Sequence, residues 1–454
     1  MGGMTRRPLV LAWVRAVASF RDVKPSNDLP DMPRFGIALA PGLRPGHLFT
    51  YIYAAFITVG LLAFVSFMQA WLLNVNLGLP LHLQGRTVSA LNFANELIAL
   101  CLVAPFGALA DKIGRRAVYA CGLLWLGAGF ALYPLARSVP QLTACALFFS
   151  VGVAAVGTML GTVLADTPRE TSRGRLVGMA GFFQGLGALA LIATLGKLPQ
   201  WLSQAGYGEL AAGRITLWLA GALSTVSALM VFLGLSKGSP SSRAPAMPLL
   251  RILRDGIGAA RRNPRIWLAC LLQFGSFGDR VVLGTFLMLR LQQGWLERGY
   301  SMTEAASRAR VPFIAAMAAG LLTALAVGVL LDRVDRLRLG IAAMALAAVA
   351  YLACGFIDDP GQGGLIIAVA MLLGAGQIAA IVSGQTLLGQ EAPVDVRGAV
   401  FGLAGICASA AILLTNAIGG WLYDTVSRGG PFFLLAGVNL TIAVIGLGLI
   451  RPRS

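Results

Sequence analysis

The sequence predicts an all-α polytopic membrane protein with twelve spanning helices. Three observations carry that prediction. The chain is 57% hydrophobic and only 12% charged, more apolar than a soluble domain of its size needs. Apolar runs of about 20 residues, the length that crosses a hydrocarbon core, recur along the chain. Lys and Arg are plentiful in every second connecting segment and sparse in the others, as a membrane topology demands.

In chain order, residues 1–46 form an N-terminal tail on the cytoplasmic side. Leu9, Trp13, Val17 and Phe20 share one side of a possible interfacial helix over 8–20, with a disordered basic tail as the alternative. Arg6 and Arg7 stand ahead of an apolar run, but Arg15 interrupts it, so an export signal is a poor fit. Pro25 to Pro45 is a Pro-rich linker. The expected spans are 48–73, 87–110, 116–136, 140–165, 175–198, 214–235, 265–290, 310–331, 338–357, 363–388, 398–423 and 431–450. The longest polar interval, 236–264, follows the sixth span and divides the chain into bundles at 47–235 and 265–454. With both termini cytoplasmic, 26 of the 36 Lys and Arg fall in inside segments and 9 outside. That bias fixes an even number of crossings. The net charge of +17 follows this alternation and does not gather in one domain, so nucleic acid is not an expected partner.

The most informative stretch is the turn from Gly107 to Arg116, GALADKIGRR, between the second and third spans. Gly107, Asp111, Lys112, Gly114, Arg115 and Arg116 match, position for position, a loop of Gly, three residues, Asp, base, any residue, Gly and two bases. It resembles the signature loop of the major facilitator superfamily of transporters. A degenerate echo, Gly328, Asp332, Arg333 and Arg336, lies between the eighth and ninth spans. A second echo pairs Arg173-Gly174 through Gly181 with Arg397-Gly398 through Gly405. The two offsets, 221 and 224 residues, nearly agree. The resemblance implies two pseudo-symmetric six-helix bundles that rock about a central site. It also implies gating contacts made only when the cytoplasmic side is closed. Asp111 would cap the eleventh helix near Gly398 and Ala399, where the helix dipole favours a carboxylate. Lys112 would pair with Asp166 at the end of the fourth helix. By symmetry, Asp332 would face Gly174 in the fifth, and Glu391 ends the tenth. Plain topology anchoring needs only the bases.

Charged residues inside a span are costly and are functional candidates. The seventh span holds Asp279 and Arg280. Gln273, Ser276 and Arg280 share one face, with Asp279 about 100° round the helix. The resemblance places this helix at the central cavity, which makes Arg280 an anion contact and Asp279 a proton carrier; a mutually compensated structural pair is the alternative. In the second span Ser89, Asn92, Asn95 and Glu96 form a polar stripe. Glu96 has no neighbouring base in sequence and is a second proton candidate, unless it sits shallow near the headgroups. Gln69 in the first span, Thr158 and Thr162 in the fourth, Gln377, Ser383 and Gln385 in the tenth and Asn416 in the eleventh complete the polar set. Such residues more often join helices than hold cargo.

No phosphate loop, nucleophile elbow or metal-ligand spacing appears, so enzymatic chemistry, ATP-driven transport and a cofactor have no support. The six Cys fall inside apolar runs, and the two His, His47 and His82, do not cluster. Phe148 stands where many proton-coupled relatives carry a buried arginine in the fourth helix. The fifth lacks the Gly-Pro ending of drug/proton antiporters, and the sugar-porter signatures are missing. The expectation is a secondary active transporter in a bacterial inner membrane, a monomer in the bilayer. It would move a small organic solute, by proton-coupled efflux of a drug-like or metabolite substrate. The alternatives are uptake or exchange of an organic anion through Arg280, and a non-transporting sensor or scaffold.

Overall fold

The computed structural model describes residues 37–40, 42–168, 172–236, 249–330, 334–393 and 396–450. The interfacial helix expected over 8–20, together with Asp332 and Arg333, lies outside them. Among the described residues twelve helices are long and apolar enough to cross a membrane. They are α1 (Pro45–Asn76), α2 (Leu81–Ile113), α3 (Arg115–Leu132), α4 (Val139–Asp166), α5 (Arg173–Thr194), α6 (Glu209–Gly234), α7 (Pro264–Glu297), α8 (Met302–Leu330), α9 (Arg336–Phe356), α10 (Gly363–Glu391), α11 (Arg397–Thr425) and α12 (Gly430–Ile450).

The helix contacts repeat between halves. In the first half α1 packs on α5, α2 on α4, and α3 on α4 and α6; in the second, α7 packs on α11, α8 on α10, and α9 on α10 and α12. The halves meet along two seams, α2–α11 and α5–α8, which the same symmetry exchanges. With no hydrophobic drive between helices in lipid, close backbone approach does the work. A Cβ on Gly187 of α5 would collide with the Phe56 carbonyl oxygen of α1. One on Gly374 of α10 would collide in the same way with that of Ala316 in α8.

Several features differ from the sequence expectation. Helix α8 begins at Met302 and not at residue 310. Its charged first turns are used locally: Glu304 accepts from the Ser301 backbone N–H at 3.2 Å, and Arg308 lies over the Tyr300 ring at 4.2 Å. Helix α7 runs on to Glu297 through a π-helical turn at Val282–Phe286. The expected linker 236–264 contains a helix, Leu249–Arg262, with Gly256 packed against Ala399 and Leu403 of α11. Its arginines made the segment read as polar, while Ile252, Leu253 and Ile257 supply an apolar side.

Below, the end of the bundle bearing the Gly107–Arg116 turn is the near end, and the opposite one the far end.

Candidate functional site

The site is built along one face of α2. Glu96, Asn92, Ser89 and Gly85 recur at helical spacing, so they stack in a single stripe. That stripe faces the second half from mid-depth to the far end.

At mid-depth Glu96 meets residues of α7 and α11. Glu96 lies near Ser409 of α11 and Arg280 of α7, and no described ion pair joins Glu96 to Arg280. Arg280 has exposed surface, whereas the adjacent Asp279 is buried. Arg280 stands just before the π-helical turn of α7, and such turns are frequent at functional sites. One turn along, Gln69 Nε2 of α1 donates to Asn92 Oδ1 at 2.7 Å, and Asn92 Nδ2 donates to Thr285 Oγ1 in that turn at 3.1 Å. This relay joins the halves. Asn95 bonds Ser150 of α4 at 2.5 Å, inside the first half.

The far end is bonded shut. Asp424, in the last turn of α11, accepts from the backbone N–H groups of Gly85 at 3.1 Å and Arg86 at 2.6 Å, near the N-terminus of α2. Those amides lie in the second turn of α2, where a carboxylate is still close to the positive end of the helix dipole. Gln293 of α7 donates to Gln84 Oε1 at 3.0 Å and accepts from the Tyr423 hydroxyl at 2.9 Å. Across the other seam Thr303 donates from backbone and side chain to Glu209, both at 3.1 Å, and Ser307 donates to Gln200 at 2.6 Å.

At the near end the described bonds stay within each half. Gly114, with φ +94°, turns the chain from α2 into α3. Arg115 is buried and bonds Asp111 at 3.2 Å and Asp166 at 2.5 Å. The base that meets Asp166 is therefore Arg115 and not Lys112, which is exposed. The reason is geometric, since a guanidinium fork can grip two carboxylates at once. Arg116 lies over the Phe232 ring at 4.6 Å. Asp111 does not reach α11, and a Cβ added at Gly107 or Gly398 would meet open space. In the second half Glu391 accepts from Arg265 at 3.1 Å and from Asn263 at 2.7 Å, and Arg336 donates to Gln390 at 3.0 Å. Arg397 is exposed. Arg173 opens α5, and its side chain is outside the described set.

Several expected site residues have no described bond across the halves. Asp279 is buried, accepts from Asn439 of α12 at 2.7 Å, and its carbonyl accepts from Tyr351 of α9 at 2.8 Å. It faces the interior of the second half. Gln273 is buried beside Gly384 of α10, and Asn416 spends its amide on the Ile412 carbonyl at 2.8 Å. Gln377 is buried and Gln385 exposed, both on α10. Sequence reading passed over Ser409, Thr285, Gln293, Asn439 and Asp424. Only Asp424 carried a signal of its own, as a carboxyl in the final turn of an apolar helix.

Known proteins resemble this chain over most of its length. The Major Facilitator Superfamily model matches residues 55–307 and 296–454. Magnetosome protein MamH of Paramagnetospirillum magneticum is 25% identical over 417 residues, covering 90% of this chain and 93% of that one. Magnetosome protein MamZ of Magnetospirillum gryphiswaldense is 23% identical; the match covers 84% of this chain and 59% of MamZ. Among solved structures, a point mutant of nucleoside transporter NupG superposes with a TM-score of 0.70 at 12% identity, covering 89% of this chain and all 100% of that one.

Proposed function

The chain belongs to the Major Facilitator Superfamily, and from that premise we propose that it is a secondary transporter moving a small organic solute by alternating access. The cargo site lies between Glu96 and Arg280. The near end is cytoplasmic, as the Lys and Arg bias supports, and the membrane is a bacterial inner membrane. Glu96 carries the coupling proton. With its proton off, it attracts Arg280 and draws α2 toward α7. With its proton on, Arg280 is released to an anionic group of the cargo. The single observation that supports this is the pair of opposite charges presented by opposite halves without a direct bond between them. Asp279 serves packing in this reading, because its buried carboxyl is held by Asn439 inside the second half.

Liposomes with an imposed pH gradient test it, using a screen of organic solutes. Glu96→Gln is expected to abolish proton-driven flux while leaving counterflow exchange. Arg280→Gln is expected to weaken anionic cargo selectively. Unchanged proton-driven flux in Glu96→Gln would end the coupling proposal.

The similarity to MamH over most of both chains favours a second reading of location, a magnetosome membrane. Fractionation of the producing cell by membrane density separates the two locations.

A further inference from the structure

Three arginines are buried among the described residues: Arg115, Arg290 and Arg310. The first two are compensated. Arg115 grips Asp111 and Asp166. Arg290 donates to the Cys354 carbonyl at 2.9 Å, the Gly355 carbonyl at 3.3 Å and Asp358 at 2.8 Å, and lies over the Phe432 ring. Arg310 differs. It is 9% exposed, no described hydrogen bond or ion pair reaches it, no carboxylate acts on it, and Nη1 is sealed from water without a partner. The far-end loops are all among the described residues, so their acids are accounted for.

A guanidinium has only donors and cannot shed its charge. Burying it without a counter-charge is strongly unfavourable. The stem of Arg310 packs on Gly196 at the far end of α5, where Phe67 of α1 also packs. One turn further along α1, the buried Trp71 indole N–H has no acceptor. Trp71 lies against Gly213, and the neighbouring Arg214 has a buried Nε without a partner. Arg310 thus lies unpartnered at the far end of the α5–α8 seam. In the symmetry-related α2–α11 seam the protein provides its own carboxylate, Asp424, to backbone N–H groups.

We propose that the far end of the α5–α8 seam binds a small monovalent anion, held by Arg310. The anion supplies from solution the negative charge that Asp424 supplies in the other seam. Its chemistry fits an inorganic anion or a small carboxylate, and the site is independent of any cargo at Glu96 and Arg280.

The test uses the full chain in lipid nanodiscs and follows thermal unfolding at constant ionic strength. Bulky isethionate is replaced stepwise by chloride, nitrate or acetate. Wild type is expected to show a saturable rise of about 2–4 °C, the size expected of a ligand held by the folded state alone. Arg310→Gln is expected to lose it. A response to chloride and nitrate assigns the inorganic anion, and a response to acetate alone assigns a carboxylate; either supports the site. No shift, or equal shifts in wild type and Arg310→Gln, overturns it. Should Arg310→Gln fail to fold, wild-type crystals soaked in bromide and in acetate decide: an anomalous peak or acetate density beside Arg310 supports the site, and the absence of both overturns it.

Discussion

The two ends of the bundle use the same kinds of residue to opposite effect. At the far end glycines are pressed against the other half: a Cβ on Gly420 of α11 would collide with the Ser89 hydroxyl of α2. At the near end Gly107 and Gly398 face open space. Asp424 bonds the second turn of a helix of the opposite half, whereas Asp111 bonds Arg115 in its own. The comparison teaches that each end carries a carboxylate suited to a facing helix N-terminus, and that here only the far one is engaged. A carboxylate at such a terminus biases a two-state equilibrium by its differential contacts.

The largest expected effect comes from Gly420→Leu, which overpacks the closed seam. It should cost the closed far end about 1–3 kcal/mol. Distances between spin labels on the far ends of α2 and α11 should lengthen. Asp424→Asn is next, removing the charge from two bonds to backbone amides, about 1–2 kcal/mol. The same distance distribution should shift toward the open population about tenfold. If it stays put, the far-end carboxylate is not a latch.

Asp111→Asn should do less in this conformation, about 0–1 kcal/mol, because the Asp111 side chain is 44% exposed and its pair is partly screened. Its larger effect belongs to the conformation in which the near end is closed, read as faster thiol labelling of a cysteine introduced at the near end. Smallest of all is Gly398→Ala. With open space around it, thermal stability should change by no more than about 0.5 kcal/mol. A large loss of stability would show that the near end is already closed.

The spans were legible because apolar length and the Lys and Arg alternation are local properties. Their ends were not. The charges of Glu304, Arg308 and Arg310 look like loop until Tyr300, Ser301 and Trp295 are seen to receive two of them. The polar stripe on α2 was readable from spacing alone, yet its partners were not. Glu96 and Arg280 are brought together by packing of the halves, across a great length of sequence. Asp279 and Arg280 are adjacent and chemically equal candidates in sequence. Only the direction each takes from α7 separates them, and that depends on Asn439 and Tyr351 in α12 and α9. Arg115 rather than Lys112 meets Asp166 because the turn at Gly114 sets the angle of α3.

The most direct test follows both ends at once. One label pair would span the far ends of α2 and α11, and another the near ends of the same helices, in wild type and in Asp424→Asn in lipid. The account predicts reciprocal change: the far-end distance lengthens and the near-end distance shortens in the same molecules. A far end that opens while the near end keeps its wild-type distance would contradict it.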